Sequence, residues 1–463
     1  MNQLDYFFYP KHIAVIGASG QPDSIGRAIF ENFNSKLCIG DFCKEAYPVN
    51  PNHSTILGRK SYASIKDIEG SIDLAVIVVP AKAVPKVMRE CVEKKVKAAI
   101  IISAGFSEIG EKKLTAELQA IIDNNPGTRV IGPNCFGLFV ADTGLDTTFA
   151  EKQKMNLPRS GSVAFMSQSG ALGIAVLDWM STQEFGLSKF ISYGNAMDVD
   201  EAELLDYLSK DSDTKVISIY IEGVKEGRKF MEIAKKTSMK KPVVVLKGGV
   251  TEETHSATAS HTGSLAGSAQ VYEALFRQTG IIQAHDLIEL FVLSKILANA
   301  PLTKGKRVLI ITNGGGYGIV TADQAIQNGL ELASISKNNA EKLRKAFPET
   351  VTIRNPLDLV GDADEKRYKI ALEAGLKEDN VDMIMVLVLF NTPAIDKHIV
   401  EEITRLRRKA KKPVIVVAIG SKYTAERKAE LEKGGVVTFN YPFTAAVALK
   451  GLYDYSKFRK VAK

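Results

Sequence analysis

The sequence predicts an α/β protein built from doubly wound parallel sheets. Three observations lead there. Short β-branched runs recur from one end of the chain to the other, segments of helix length separate them, and glycine-rich turns follow the opening run of each block. Continuous apolar strands of this kind are buried on both faces, which requires helices above and below each sheet. In order, the runs are His12–Ile16, Leu74–Val79, Ala98–Ile102, Arg129–Ile131, Ser162–Met166, Val216–Ile221, Pro242–Leu246, Arg307–Thr312, Met383–Leu389 and Pro413–Ala418.

At 463 residues the chain is long enough for about three domains. Two polar, helix-breaking connections, 150–161 and 300–306, mark where they divide. The expected domains are 1–150, 158–300 and 305–463. The second and third resemble each other: Ser162-Val-Ala-Phe-Met-Ser-Gln-Ser-Gly-Ala-Leu-Gly173 aligns with Arg307-Val-Leu-Ile-Ile-Thr-Asn-Gly-Gly-Gly-Tyr-Gly318 at an offset of 145. Lys241-Pro-Val-Val-Val-Leu likewise matches Lys412-Pro-Val-Ile-Val-Val.

With 45% hydrophobic and 24% charged residues, a disordered, fibrous or disulfide-stapled chain is excluded. No apolar run approaches the roughly 20 residues that span a bilayer, and the N-terminus does not read as a signal peptide. The expected location is the cytoplasm, without a membrane. A formal charge of +7, spread along the chain, favours anionic ligands but does not call for nucleic acid. Cys38, Cys43, Cys91 and Cys135 show no metal-ligand spacing, so they read as reduced, buried thiols and no metal site is expected.

The first block opens Ile13-Ala-Val-Ile-Gly-Ala-Ser-Gly20, followed by Ser24-Ile-Gly26, where a helix begins. Glycine lets the backbone approach a phosphate, and a helix N-terminus offers free N–H groups and positive potential. The spacing departs from the dinucleotide fingerprint, and the second strand continues into Ala46-Tyr-Pro-Val-Asn-Pro51 without the acidic residue that reads a ribose. NAD is disfavoured, while a ligand carrying another nucleotide stays open.

In the second block, Ser167, Gln168, Ser169 and Gly170 stand between a strand and a helix. Such a turn serves either as an ordinary cap or as an oxyanion site. Asn313, Gly314, Gly315 and Gly316 occupy the matching place in the third block. Ser260-His-Thr-Gly-Ser-Leu-Ala-Gly267 puts His261 among small, turn-forming residues. It is either a surface loop histidine or a nucleophile, base or ligand; His255 is the weaker candidate beside it. His12, His53, His285 and His398 read as structural or solvent-facing. Glu222 closes a strand at the carboxyl edge, either solvated or placed to orient an imidazole.

Together with Tyr47-Pro-Val-Asn-Pro51, Ile131-Gly-Pro-Asn-Cys-Phe-Gly137 and Tyr220-Ile-Glu-Gly223, these motifs resemble the α subunits of ADP-forming acyl-CoA synthetases, and more distantly of succinyl-CoA synthetase. The resemblance covers the whole chain in order. It implies a Rossmann-like CoA-binding domain followed by two flavodoxin-like domains. By that likeness coenzyme A meets Gly17, Ala18, Ser19, Ser24, Ile25 and Gly26 at its phosphates. It also meets Pro48, Val49, Asn50, Pro51, Val79, Pro80, Ala81, Ser103, Ala104, Gly105, Phe106 and Asn134. The same likeness implies that His261 becomes phosphorylated, that Glu222 holds it and that Ser167 to Gly170 bind the phosphoryl group, with Asn313 to Gly316 expected as a second phosphate site.

The implied reaction converts acyl-CoA, ADP and phosphate into acid, CoA and ATP through an acyl phosphate and a phosphohistidine. No ATP-grasp lid is present in the sequence. In the family that domain is either fused on or carried by a separate subunit; the separate form is expected here, an ATP-grasp β subunit holding ADP or ATP and Mg²⁺ in an α2β2 assembly. The alternative is a non-catalytic, CoA-binding regulatory or acetyltransferase-associated module on the same scaffold; retention of His261 favours the enzyme. An NAD dehydrogenase is a distant third reading.

Overall fold

The computed structural model describes residues 2–34, 42–183, 186–251, 253–254 and 269–461. The chain divides into two compact units, Met1–Gln283 and Ala284–Lys463. No helix among the described residues is long and apolar enough to cross a membrane.

The first unit contains two large sheets. One consists of β1 (His12–Ile16), β2 (Glu45–Val49), β5 (Leu74–Ile77), β6 (Ala98–Ile101) and β7 (Arg129–Ile131), in the spatial order β2-β1-β5-β6-β7 with every pairing parallel. A short hairpin, β3 (Thr55–Ile56) and β4 (Arg59–Lys60), lies beside it. All residues of β5 and β6 are buried, as parallel strands covered on both faces must be.

The other sheet orders β14 (Ile282–Ala284), β13 (Val243–Lys247), β12 (Val216–Ile221), β10 (Ser160–Ser167), β11 (Leu187–Ser192), β8 (Gly137–Val140) and β9 (Leu145–Asp146) side by side. β8 runs antiparallel to β11, so residues 137–146 enter the second sheet although the polar break in the sequence comes later, at 150–161.

The second unit carries β15 (Arg307–Thr312), β16 (Glu331–Leu332), β17 (Leu357–Asp358), β18 (Met383–Leu387), β19 (Val414–Val417) and β20 (Val437–Phe439), in the order β16-β15-β18-β19-β20. β17 also pairs with β15, at its carboxyl end. The Asn355 side chain bridges the change of partner: it accepts from the Ile310 amide and donates to the carbonyls of Val308 and Ala333. Helix Leu287–Asn299 packs on helix Pro442–Val461.

The three sheets repeat one winding. Counted along the chain, the main strands of each lie in the order 2-1-3-4-5, and the winding reverses between the first strand and the third. In this architecture ligands bind at the carboxyl ends of the strands, beside that reversal.

Some strands the sequence conceals. β11 reads Leu-Ser-Lys-Phe-Ile-Ser, polar in the middle, yet it is buried throughout. Its Lys189 is 1% exposed and makes two 2.9 Å hydrogen bonds to Asp211, with the Tyr9 ring beneath the ammonium. Burial alone lowers the Lys189 pKa, but its hydrogen bonds to Asp211 and Tyr9 outweigh it, and the group stays charged.

The two sheets of the first unit are joined along β7. The amides of Asn195, Met197 and Val199 donate to the carbonyls of Pro133, Gly132 and Val130. Arg129 grips Asp198 through Nε and Nη2 and reaches Glu203 at 2.6 Å. Cys91 and Cys135 are buried, which pushes both thiols up, Cys135 to about 12; Cys43 is half-buried, and Cys38 lies outside the described residues.

Removing one member of a buried ion pair strands the other charge, at about 3 to 5 kcal/mol. Lys189→Met is expected to lower stability by that order in chemical denaturation. Lys189→Met with Asp211→Asn should recover part of the loss, and equal losses in both variants would show that the stranded charge is not the cause.

Candidate active site

The residues singled out in the first block gather on one rim of the first sheet. Gly17 follows β1 with φ +94°, and its amide donates to the Val49 carbonyl. A Cβ on Gly17 would sit 2.2 Å from the Val78 oxygen, and one on Gly26 would sit 2.1 Å from the Gly17 oxygen. Glycine is therefore required twice where helix Ile25–Asn34 closes onto the turn. Asn50 Nδ2 donates to the Ala18 carbonyl at 2.9 Å, tying the end of β2 to the same turn. Ser103 Oγ donates to the Val79 carbonyl, and the Asn134 amide donates to the Ser103 carbonyl.

Pro48 and Val49 lie within β2, while Pro51, Pro80 and Ala104 are exposed on the rim. Phe106 points into the core instead. Ser24 and Ile25 open the helix and line a cavity of about 850 Å³ that also touches Arg27, Phe149 and Lys152.

Two rim residues escape a reading of the sequence. Glu108 accepts from the Gly105 amide at 2.5 Å, the Phe106 amide at 3.1 Å and Asn195 Nδ2 at 2.6 Å. Burial works to raise its pKa, but these donors prevail and hold the carboxyl below the usual glutamate range. Asn195, which also touches Ser107 and Asn134, comes from the loop after β11. Only the turn-like Gly194-Asn195 pair hints at it in the sequence.

From the rim, residues 132–137 run directly to the second turn. The Phe136 amide donates to Ser192 Oγ, and the Phe136 side chain lies against Gly170. Ser167 is fully buried and donates to the Ser169 carbonyl at 2.6 Å. Ser169 caps helix Gly170–Ser181, whose N-terminus presents the amides an oxyanion needs.

Gln168 does something other than face outward as a ligand. Its side-chain oxygen accepts from the amides of Glu222 at 2.7 Å and Gly223 at 3.2 Å. The structure thus brings Glu222, 6% exposed, next to the Ser167–Gly170 turn. Tyr220 OH donates to Glu222 Oε1 at 3.2 Å. The Tyr220 hydroxyl is pushed up by burial and by Glu222. Tyr193, fully buried at the end of β11, has a hydroxyl with no hydrogen-bond partner among the described residues; burial and the nearby Glu201 and Glu222 keep it protonated. His261 and His255 both lie outside the described residues.

In the second unit the matching turn is built alike. Thr312 Oγ1 donates to the Gly314 carbonyl, and Asn313 Oδ1 accepts from the Leu389 amide at 3.0 Å, just past β18. Helix Gly315–Gln327 starts at this point, with Gly316 open to solvent. Among the described residues no group of His, Cys, Asp and Glu is arranged to hold a metal ion.

Comparison with known proteins agrees along the whole length. Residues 11–141 match the CoA binding domain family, 160–297 the succinyl-CoA ligase like flavodoxin domain, and 308–462 the ligase-CoA domain. Over 459 residues the chain is 40% identical to the α subunit of ADP-forming acetate–CoA ligase II from Pyrococcus furiosus, covering 98% of each chain. It is 40% identical over 458 residues to the ADP-forming acetate–CoA ligase of Methanocaldococcus jannaschii, covering 98% of this chain and 63% of that one. Among solved structures, acetyl-coenzyme A synthetase 1 of Candidatus Korarchaeum cryptofilum, in complex with phosphate and ADP, matches with a TM-score of 0.90 at 37% identity, over 99% of this chain and 98% of that chain.

The rim yields a pH prediction. Because folding lowers the Glu108 pKa, its contribution to stability is complete above the ordinary value of 4.5 and is lost as pH falls through the lower folded value. Glu108→Gln is expected to lower the denaturation midpoint at neutral pH, with the gap to the parent chain narrowing from about pH 5 toward pH 3. A gap independent of pH would show that the charged form is not what holds the Gly105–Phe106 turn.

Proposed function

The chain belongs to the ADP-forming acyl-CoA ligases, as their α subunit, and on that premise we propose that it binds the acyl-CoA, forms the acyl phosphate and carries the phosphohistidine. The observation that carries this reading is the junction of Gln168 with Glu222. It sets a buried carboxylate beside a helix N-terminus suited to a phosphoryl group.

In the first step a phosphate oxygen attacks the thioester carbonyl of the acyl-CoA. The carbon–sulfur bond breaks, CoA leaves as the thiolate and takes up a proton, and an acyl phosphate remains. CoA is proposed to lie along the first rim, with its phosphates at Gly17, Ala18, Ser19, Ser24, Ile25 and Gly26. The rest of the molecule passes the β2, β5 and β6 ends near Asn50, Val79 to Ala81, Ser103 to Gly105 and Asn134. The strap 132–137 leads from there to the Ser167–Gly170 turn, so the thioester and the phosphate site share one edge.

In the second step an imidazole nitrogen of His261 attacks the phosphorus. The bond from phosphorus to the acyl oxygen breaks and the carboxylic acid departs as its anion. Glu222 accepts from the other ring nitrogen and stabilises the imidazole while it carries positive charge. Developing charge on the phosphoryl oxygens is met by the amides at Ser169 and Gly170. The phosphoryl group then passes to the terminal phosphate of ADP, giving ATP; the turn Asn313 to Gly316 is proposed as a second phosphate station.

The nucleotide and Mg²⁺ are assigned mainly to a partner subunit with an ATP-grasp domain, in an α2β2 assembly located in the cytoplasm. The M. jannaschii relative supports the division of labour, since this chain accounts for 63% of that longer polypeptide.

Two outcomes test this reading. Incubated with labelled phosphate and acetyl-CoA, the chain with its partner is expected to take up acid-labile label, and His261→Asn to take up none; label that survives in the variant places the phosphate elsewhere. With ATP as donor, the chain alone should label poorly and recover when the partner is added. Full ATP synthesis by the single chain would overturn the assignment of the nucleotide to a partner.

A further inference from the structure

Glu222 is held by more than its carboxylate. Its amide and that of Gly223 donate to Gln168, and its carbonyl accepts from Lys247 Nζ at 2.9 Å. The Val224 amide donates to the Tyr272 hydroxyl at 3.1 Å. Side chains from a turn, a strand and a helix thus occupy the backbone groups of three consecutive residues.

Lys247 is the unusual member. It ends β13, is 5% exposed, and also donates to the carbonyl of Gly248. Its ammonium lies 4.8 Å from the centroid of the Tyr272 ring. Among the described residues no carboxylate comes within ion-pair distance of it, and burial lowers its pKa against the opposing pull of Glu222. Burying a cation whose partners are carbonyls and a ring face is unfavourable for folding, and a neutral side chain would fill the same space more cheaply. Lys247 and Tyr272 also stand on opposite sides of residues 255–268 in the chain: β13 precedes that stretch and helix Ala269–Thr279 follows it. Both flanks therefore converge on the strand end that bears Glu222.

We propose that Lys247 is a positioning residue of the phosphoryl-transfer site, its ammonium clasping the Glu222 carbonyl to the end of β13 while Tyr272 and Gln168 hold the neighbouring amides. The carboxylate is thereby kept at one distance from the Ser167–Gly170 turn. The assignment rests on the role given to Glu222 above.

The test uses the chain together with its partner subunit and two readouts. Hydrogen exchange at the amides of Glu222, Gly223 and Val224 reports the clasp itself. The rate of label uptake from labelled phosphate and acetyl-CoA reports its consequence, with CoA affinity as a control for folding. Lys247→Met should speed exchange at all three amides and slow labelling about tenfold to a hundredfold, leaving CoA affinity unchanged. Lys247→Arg, which keeps the cation, should restore most of the rate. If Lys247→Met does not fold, Tyr272→Phe, which keeps the ring and removes the acceptor for Val224, should shift both readouts in the same direction. Unchanged exchange overturns the clasp, and faster exchange with labelling at the parent rate overturns its role in positioning. A parent complex that takes up no label, while Lys247→Met still exchanges faster, overturns the phosphohistidine reading and leaves the clasp standing.

Discussion

Where a doubly wound sheet reverses its winding, the ends of its first and third strands meet with no helix above them, and their backbone groups need partners. This chain answers that need with amide side chains. Gln168 accepts from the amides at the end of β12, and Asn313 accepts from the amide just beyond β18. In the first sheet the comparable tie lies between the first and second strands, where Asn50 donates to the carbonyl of Ala18. Each bond satisfies buried backbone and fixes the start of the following helix against the sheet. The helix N-termini these bonds aim keep backbone amides without an intrahelical partner, which is the feature the proposed phosphate sites draw on.

Charge inside the first unit is used in a related way. Arg129, Lys189 and Lys247 are each buried or nearly so, and each joins segments distant in the chain. Arg129 joins β7 to the loop after β11 through Asp198. Lys189 joins β11 to Asp211. Lys247 joins the ends of β12 and β13. Through the first of these contacts Asn195 reaches the rim beside Glu108. The strap 132–137 then carries the rim to the Ser167–Gly170 turn, so the two turns are joined by packed and hydrogen-bonded chain rather than held apart by a linker.

The glycine-rich turns between strand and helix are legible in the sequence because their physics is local. A position such as Gly17, where a Cβ would sit 2.2 Å from a carbonyl oxygen, admits only glycine and so leaves its mark in the sequence, and a cap such as Ser169 is recognised by the strand before it and the helix after it. β5 and β6 were legible for the same reason, being apolar at every residue. β11 was not: Lys189 reads as a solvated charge until Asp211 is placed against it. Likeness makes Gln168 a phosphate ligand, and nothing adjacent to it in sequence reveals that its oxygen is committed to Glu222, 54 residues later. His261, the most distinctive residue of the sequence, lies outside the described residues.

The sequence by itself determined the α/β class, the repeated turns and the family, since each depends on residue types at short spacings and on order along the chain. The tertiary structure decided which side chains those turns serve. It moved residues 137–146 into the second sheet, gathered Asn195 and Glu108 on the first rim, and set Lys247 and Tyr272 about Glu222. The physical reason is desolvation. A buried amide, carbonyl or ammonium takes whatever partner the fold brings within about 3 Å, and the chain distance to that partner leaves no trace in local composition.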